Sequence, residues 1–124
     1  MKIKLVELIN INQILKSIID DDKLKVDSLL KFKLLSIMKK IEDPIINYEV
    51  IRNEKVKEFG KKDKDGNIAI NPKDEDAFNK FNKSIKPVLD SEINVSIDKI
   101  KAGDIFNKGI KAEYLVVLYP IIEE

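Results

Sequence analysis

Apolar residues recur at every third or fourth position between residues 30 and 59, and this period constrains the fold more than any other feature of the sequence. The positions are Leu30, Leu34, Ile37, Ile41, Ile45, Tyr48 and Ile51, continued after one irregular step by Val56 and Phe59. Such a period places apolar side chains on one face of an α-helix. The sequence therefore predicts a helix over residues 28–59, about 48 Å long at 1.5 Å per residue.

Both ends of this helix carry recognisable signals. Asp27 is a suitable N-cap, because its carboxylate can accept a hydrogen bond from a free amide of the first turn. Gly60 is a typical C-terminal stop. Pro44 lies inside the segment, and we expect it to kink or split the helix, since its ring removes a hydrogen bond and strains the preceding residue.

A second amphipathic segment follows after a polar loop. Asn71 is the expected N-cap of this helix, with Pro72 at its first position and the acidic residues 74–76 in its first turn. Within the loop, Asp65-Gly66 favours a tight turn and a small hairpin. Two amphipathic helices joined by a loop of about ten residues normally return antiparallel. The sequence predicts a helical hairpin over residues 28–91.

The two ends of the chain carry strand patterns. Residues 1–5 alternate apolar and basic side chains, and residues 93–97 alternate apolar and polar ones, as in half-buried strands. We expect these segments to pair in a two-stranded sheet. A helix is expected between them, from Leu5 to the acidic residues 20–22. After the second strand we expect one helical turn near 104–108 and a short, largely buried helix over 111–119. The expected fold is α+β, mostly helical, in a single domain over 1–124, with 1–27 and 92–124 packed together at the base of the hairpin.

The chain lacks both cysteine and histidine. Thiolate nucleophiles, imidazole acid–base catalysis and disulfides are therefore excluded, and the common transition-metal sites lose their usual ligands. Only Asp, Glu, Lys and Tyr could transfer protons, and each would need a pKa shift of several units in a deep pocket. We expect no enzyme, no cofactor and no metal site.

Residues 61–72 partly match a calcium-binding EF-hand loop. With Gly66 at the sixth position, Asp63 and Asp65 fall on the third and fifth ligand positions. The first position, however, is Lys61, and the twelfth, which should be a bidentate glutamate, is Pro72. A solvated hairpin turn is the expected structure, with a calcium site as the alternative.

Four residues are candidates for an interaction surface: Arg52, Phe59, Phe78 and Phe81. Arg52, the sole arginine, could form a bidentate ion pair that lysine cannot replicate. It could equally be an exposed cation paired weakly with Glu49 or Glu54. The three phenylalanines lie near the loop end of the predicted hairpin, where they either cap its core or form an apolar tip that anchors a partner.

Charge gives little indication of a polyanionic partner. The chain has 23 basic and 22 acidic residues, mixed along its length, and no strong basic patch of the kind that phosphate binding needs. Nucleic acid is not an expected partner. No apolar segment approaches the 20 residues of a membrane-spanning helix, and no secretory signal is visible. The expected location is the cytoplasm, without membrane attachment.

The long apolar stripe on residues 30–59 also indicates whether another polypeptide binds this chain. A helix of 32 residues extends beyond what a domain of this size readily covers, so a second copy of the chain is expected to bury part of it. The stripe therefore predicts a protein partner and a homo-oligomer.

Four segments together resemble a known group of proteins. They are residues 31–60, the KDKDGNIAI turn at 62–70, EDAFNKFNKSI at 75–85 and SEINVSIDKI at 91–100. In these segments the chain is similar to small proteins of unknown function encoded by phages and prophages of low-GC Gram-positive bacteria. The resemblance implies a phage context, with a gene near virion-assembly functions, and it assigns no active residues.

The expected function is that of a non-enzymatic interaction protein of a phage or prophage, self-associating and accessory to virion assembly. The alternative is a small phage-encoded inhibitor or regulator that binds a host protein, placed in the host cytoplasm.

Overall fold

The computed structural model describes residues 1–24 and 26–124 and has an α+β fold that is mostly helical, as the sequence predicts. The helices are α1 (Leu5–Asp20), α2 (Ser28–Phe59), α3 (Glu75–Leu89), α4 (Ala102–Ile105) and α5 (Ala112–Leu118). The short strands are β1 (Lys2–Lys4), β2 (Lys61–Lys62), β3 (Ile68–Ala69), β4 (Glu92–Asn94), β5 (Ile100–Lys101) and β6 (Ile122–Glu123).

Helix α2 has the predicted bounds and the predicted caps. Asp27 Oδ1 accepts a hydrogen bond of 2.8 Å from the backbone amide of Leu30. At the other end, the amide of Gly60 donates to the carbonyl of Val56 at 2.7 Å. Both ends of α2 therefore have backbone groups satisfied by the residues that the sequence indicates.

Pro44 does not split α2, which is continuous from Ser28 to Phe59. Ile41 and Ile45, on either side of the proline, are both buried in the core. Burial of the turns before and after Pro44 stabilises the helical conformation and offsets the one hydrogen bond that the proline removes.

Helix α1 packs along the N-terminal part of α2 and runs antiparallel to it. Near the end of α1, Ile19 lines the same groove as Leu35, whereas Ile9, near its start, lies beside Tyr48 and Arg52. The buried face of α1 has the predicted spacing, and its residues are Leu5, Leu8, Ile11, Leu15 and Ile18. This helix and α2 supply most of the aliphatic core.

Helix α3 packs on the C-terminal part of α2 and completes the predicted hairpin. The loop between them contains the small hairpin β2–β3, in which Lys61 pairs with Ala69 and Lys62 with Ile68. Gly66, at its turn, has φ +84°, a conformation that favours glycine. Helices α1 and α3 therefore both pack against α2.

The start of α3 differs from the sequence expectation. Asp74, rather than Asn71, is the N-cap, and its Oδ1 accepts a 3.2 Å hydrogen bond from the amide of Ala77. Asn71 Oδ1 accepts from the amide of Lys73 at 2.9 Å. Pro72 therefore lies in a turn before the helix and does not occupy its first position. Both side chains are good caps, and local sequence alone does not distinguish them.

Strands β1 and β4 form the predicted antiparallel sheet. Ile3 pairs with Ile93, and Lys2 with Asn94. The backbone amide of Val95 extends the pairing by donating to the carbonyl of Met1 at 2.9 Å. Because β1 leads directly into α1 and β4 follows α3, this sheet joins the start of α1 to the end of α3.

The C-terminal segment contains one correct and one wrong prediction. A short helix, α5, occupies 112–118 as expected, and it contacts α1. It is not largely buried, however, since only Leu118 is enclosed while Val116 and Tyr119 are exposed. A parallel pairing of β5 with β6, in which Ile100 lies opposite Ile122, was not predicted.

Candidate interaction surfaces

The side of α2 that faces away from the core carries apolar residues. Leu34 and Ile41 point into the core, and at 100° per residue Phe32 and Val50 project to the opposite side of the helix. Their exposed fractions are 67% for Phe32 and 55% for Val50, with 45% for Ile46 nearby. We call this surface, defined by Phe32, Ile46 and Val50, the outer face of α2.

A groove of about 600 Å³ runs between α1 and α2 beside the outer face. Its apolar lining comprises Ile19, Leu35, Met38, Ile45 and Ile46. Charged and polar side chains line it as well: Asn12, Lys16, Asp20, Lys39, Glu42 and Glu49. The groove therefore combines an apolar strip with charged side chains of both signs.

The predicted residue Arg52 lies against an aromatic ring. Its guanidinium carbon lies 5.8 Å from the ring centroid of Phe81, within the range of a cation–π contact. Among the ion pairs within residues 1–24 and 26–124, none involves Arg52. Neither the bidentate ion pair nor the weaker pairing with Glu49 or Glu54 is thus formed, and the contact with Phe81 was not predicted.

The three predicted phenylalanines have different environments. Phe81 is buried, Phe59 is half-buried, and Phe78 is 40% exposed. Arg52, Phe78 and Phe81 together line a cavity of about 300 Å³ beside the β2–β3 hairpin. Phe59 lines a separate cavity of about 260 Å³ on the loop side. The structure therefore brings three of the four candidate residues together and separates the fourth.

Two lysine–glutamate ion pairs on α2 raise the pKa values of their lysines. Lys39 Nζ lies 3.0 Å from Glu42 Oε2, and Lys55 Nζ lies 2.9 Å from Glu58 Oε2. A hydrogen bond and the negative charge of the neighbouring carboxylate raise the pKa of both lysines above 10.5. Both lysines accordingly remain cationic at neutral pH.

The loop that partly matches an EF-hand uses its first aspartate to build a turn. Asp63 Oδ1 accepts hydrogen bonds from the amides of Asp65, at 2.9 Å, and Asn67, at 3.0 Å. These contacts are those of an Asx-type turn. Over the described residues 1–24 and 26–124, no three Asp or Glu side chains are grouped as a metal site would require.

The part of the chain that the structure describes, residues 1–24 and 26–124, has neither unpaired buried polar side-chain groups nor a membrane-spanning helix. No buried side-chain nitrogen or oxygen in that part of the chain lacks a hydrogen-bond partner. No described helix is both long enough and apolar enough to cross a bilayer.

The stripe that includes Leu34 and Ile41 does not supply the surplus apolar surface that the sequence analysis expected a second copy to bury. Its first five members are already buried within one chain, and none of the later ones is exposed. The sequence analysis followed only that stripe and did not predict the outer face of α2. A signal was present, since Phe32, Ile46 and Val50 lie outside that stripe and share a second face.

Comparison with protein-family models, with curated proteins and with solved structures finds no match to this chain.

Proposed function

We propose that this chain is a non-enzymatic protein-interaction protein that self-associates and is accessory to virion assembly in a phage or prophage. The observation that carries the proposal is the outer face of α2, where Phe32, Ile46 and Val50 are exposed along one side of a single helix. Apolar side chains aligned in this way favour burial against another polypeptide, because burial removes their surface from water.

The phage setting rests on the resemblance of residues 31–60 and of the three segments that follow it. Within that setting, accessory assembly proteins act by binding other chains, and the exposed apolar side chains of the outer face suit such binding. A protein partner is also consistent with the near balance of 23 basic and 22 acidic residues, which favours neither nucleic acid nor another polyanion.

Sedimentation velocity over a wide concentration range tests self-association directly. We expect the sedimentation coefficient to rise with concentration toward that of a dimer or a larger assembly. Replacement of Phe32 by Glu should shift the equilibrium toward monomer, whereas Val116→Glu, which changes an equally exposed residue on α5, should not. A monomer at every concentration would overturn the self-association.

A second function, inhibition or regulation of a host protein, is favoured by the cavity that Arg52 and Phe78 line on a different part of the molecule. An exposed arginine beside an exposed aromatic ring is typical of residues that dominate binding energy at interfaces. Affinity capture from phage-infected cells distinguishes the two functions. Virion proteins in the captured fraction support the first, and one host protein lost with Phe78→Ala supports the second.

A further inference from the structure

A regularly spaced series of side chains runs the length of the outer face of α2. Its members are Phe32, Ser36, Lys39, Asp43, Ile46 and Val50, which we call the outer seam, and all six are exposed. The steps between them alternate between four and three residues. This spacing keeps one line of side chains facing a partner helix in a coiled coil. The outer seam spans about 27 Å at 1.5 Å per residue.

The outer seam is self-complementary when two copies of α2 pair in antiparallel orientation. In an antiparallel pair centred on Ile41, Phe32 lies opposite Val50 of the second copy, and Lys39 lies opposite the second copy's Asp43. Ser36 then lies opposite Ile46. A two-fold axis repeats each of these contacts, as in the isologous interfaces of most homodimers.

The charges at the centre of the seam select between the two directions of pairing. In a parallel pair, Lys39 would face Lys39 of the second copy, and Asp43 would face the second copy's Asp43. Like charges in such positions are repulsive, whereas the antiparallel arrangement places opposite charges together twice. Lys39 already lies 3.0 Å from Glu42 of its own chain. In the antiparallel pair its ammonium group would lie between two carboxylates.

We infer that the partner of the outer seam is a second copy of this chain, bound as an antiparallel helix pair with Lys39 opposite Asp43. The inference rests on the proposed self-association and specifies its surface, direction and register. Phe32 and Val50 supply apolar contact at both ends of the seam, while the central charges fix the orientation.

Charge exchange at the centre of the seam tests the inference. Lys39→Asp should weaken dimerisation roughly tenfold, because two attractive contacts become repulsive. The double variant Lys39→Asp with Asp43→Lys restores opposite charges and should return the affinity to near that of the original chain. Lys80→Asp is the matched control, since Lys80 pairs with Asp76 on the exposed surface of α3. Sedimentation equilibrium measures all four proteins.

The outcomes separate this inference from the proposed function. A dimer whose affinity is unchanged by Lys39→Asp, or not restored by the double variant, would overturn the inference and leave self-association standing. A chain that is monomeric at every concentration would overturn both.

Cross-linking tests the direction of pairing independently. The chain has no cysteine, so thiols introduced by Ser36→Cys or Asn47→Cys are the only ones present. In the antiparallel pair, residue 36 of one copy lies near residue 47 of the other, while two residues 36 lie about 15 Å apart along the axis. A short bis-maleimide should therefore link the two variants when mixed and neither variant alone. Efficient linking of Ser36→Cys to itself would indicate parallel helices and overturn the inference.

Discussion

The guanidinium group of Arg52 on α2 lies over the ring of Phe81 on α3, with 5.8 Å between the guanidinium carbon and the ring centroid. This contact joins the two helices of the hairpin through the one arginine of the chain. Lysine would carry the same charge, but its compact ammonium lacks the planar surface that stacks on a ring.

Arg52→Ala should therefore lower the free energy of unfolding by about 0.5–1 kcal/mol, the range for cation–π contacts at exposed sites. Lys40→Ala, which removes another exposed cation from the middle of the same helix, is the control and should change it less. Urea denaturation followed by circular dichroism measures both. Equal effects of the two substitutions would show that the aromatic contact contributes nothing specific to stability.

Two neighbouring leucines of α2 test which face of the helix forms the core. Leu34 is 0% exposed and Leu35 is 47% exposed. Leu34→Ala should cost about 2–5 kcal/mol, because it removes buried methyl groups and leaves a cavity. Leu35→Ala should cost well under half as much, since its side chain already contacts water in the groove. Denaturation at low protein concentration, where self-association is minimal, gives the comparison.

The contrast between Leu34 and Leu35 also shows which features of the fold can be predicted from the sequence alone. The period that includes Leu34 correctly predicted α2 and its hairpin with α3, and the alternation of apolar and polar residues predicted the pairing of β1 with β4. Both patterns arise because burial of one face dictates where apolar residues recur. The same reasoning located the buried Phe81. It did not locate the outer face, because an exposed residue such as Phe32 lies outside the dominant period and contributes little to it.

Predictions that depended on tertiary contacts were less successful. Asn71 and Asp74 are both good caps, and the position of α3 against α2 decides which one begins the helix. Pairing of β5 with β6 joins segments about twenty residues apart and leaves no local periodicity from which to predict it. The exposure of Val116 depends on where α5 packs against α1, which is again a tertiary property.

The N-cap of α3 can be verified by substitution. Asp74→Ala should lower the free energy of unfolding by about 1 kcal/mol, because the amide of Ala77 loses its acceptor. Asp74→Asn should retain most of that stability, since its side-chain oxygen can accept the same bond. Asn71→Ala should cost less than Asp74→Ala, because the amide of Lys73 is exposed and water can replace the lost acceptor. The reverse order would restore Asn71 as the cap.

Replacement of Pro44 by alanine is expected to increase the stability of the fold. It occupies the interior of a continuous helix, where proline is about 3 kcal/mol less favourable than alanine. Pro44→Ala restores the missing amide, so we expect the free energy of unfolding to rise by up to about 3 kcal/mol. Thermal denaturation provides the measurement. A loss of stability would instead show that the packing of Ile41 and Ile45 requires the backbone geometry that proline imposes.

The pair formed by Lys39 and Glu42 predicts a specific titration. Glu42 raises the pKa of Lys39 above 10.5 in the folded chain, and the Glu42→Gln variant should return it toward that value. Because the folded-state pKa is the higher one, any stability from this pair is fully present below pH 10.5 and is lost as the pH rises through the raised pKa. NMR titration of the lysine side chains between pH 9 and 12 follows the change, with Lys55 and its partner Glu58 as an unaltered internal reference. An identical Lys39 titration in the original chain and in Glu42→Gln would contradict the ion pair, and would leave Asp43 as the neighbouring carboxylate available to Lys39.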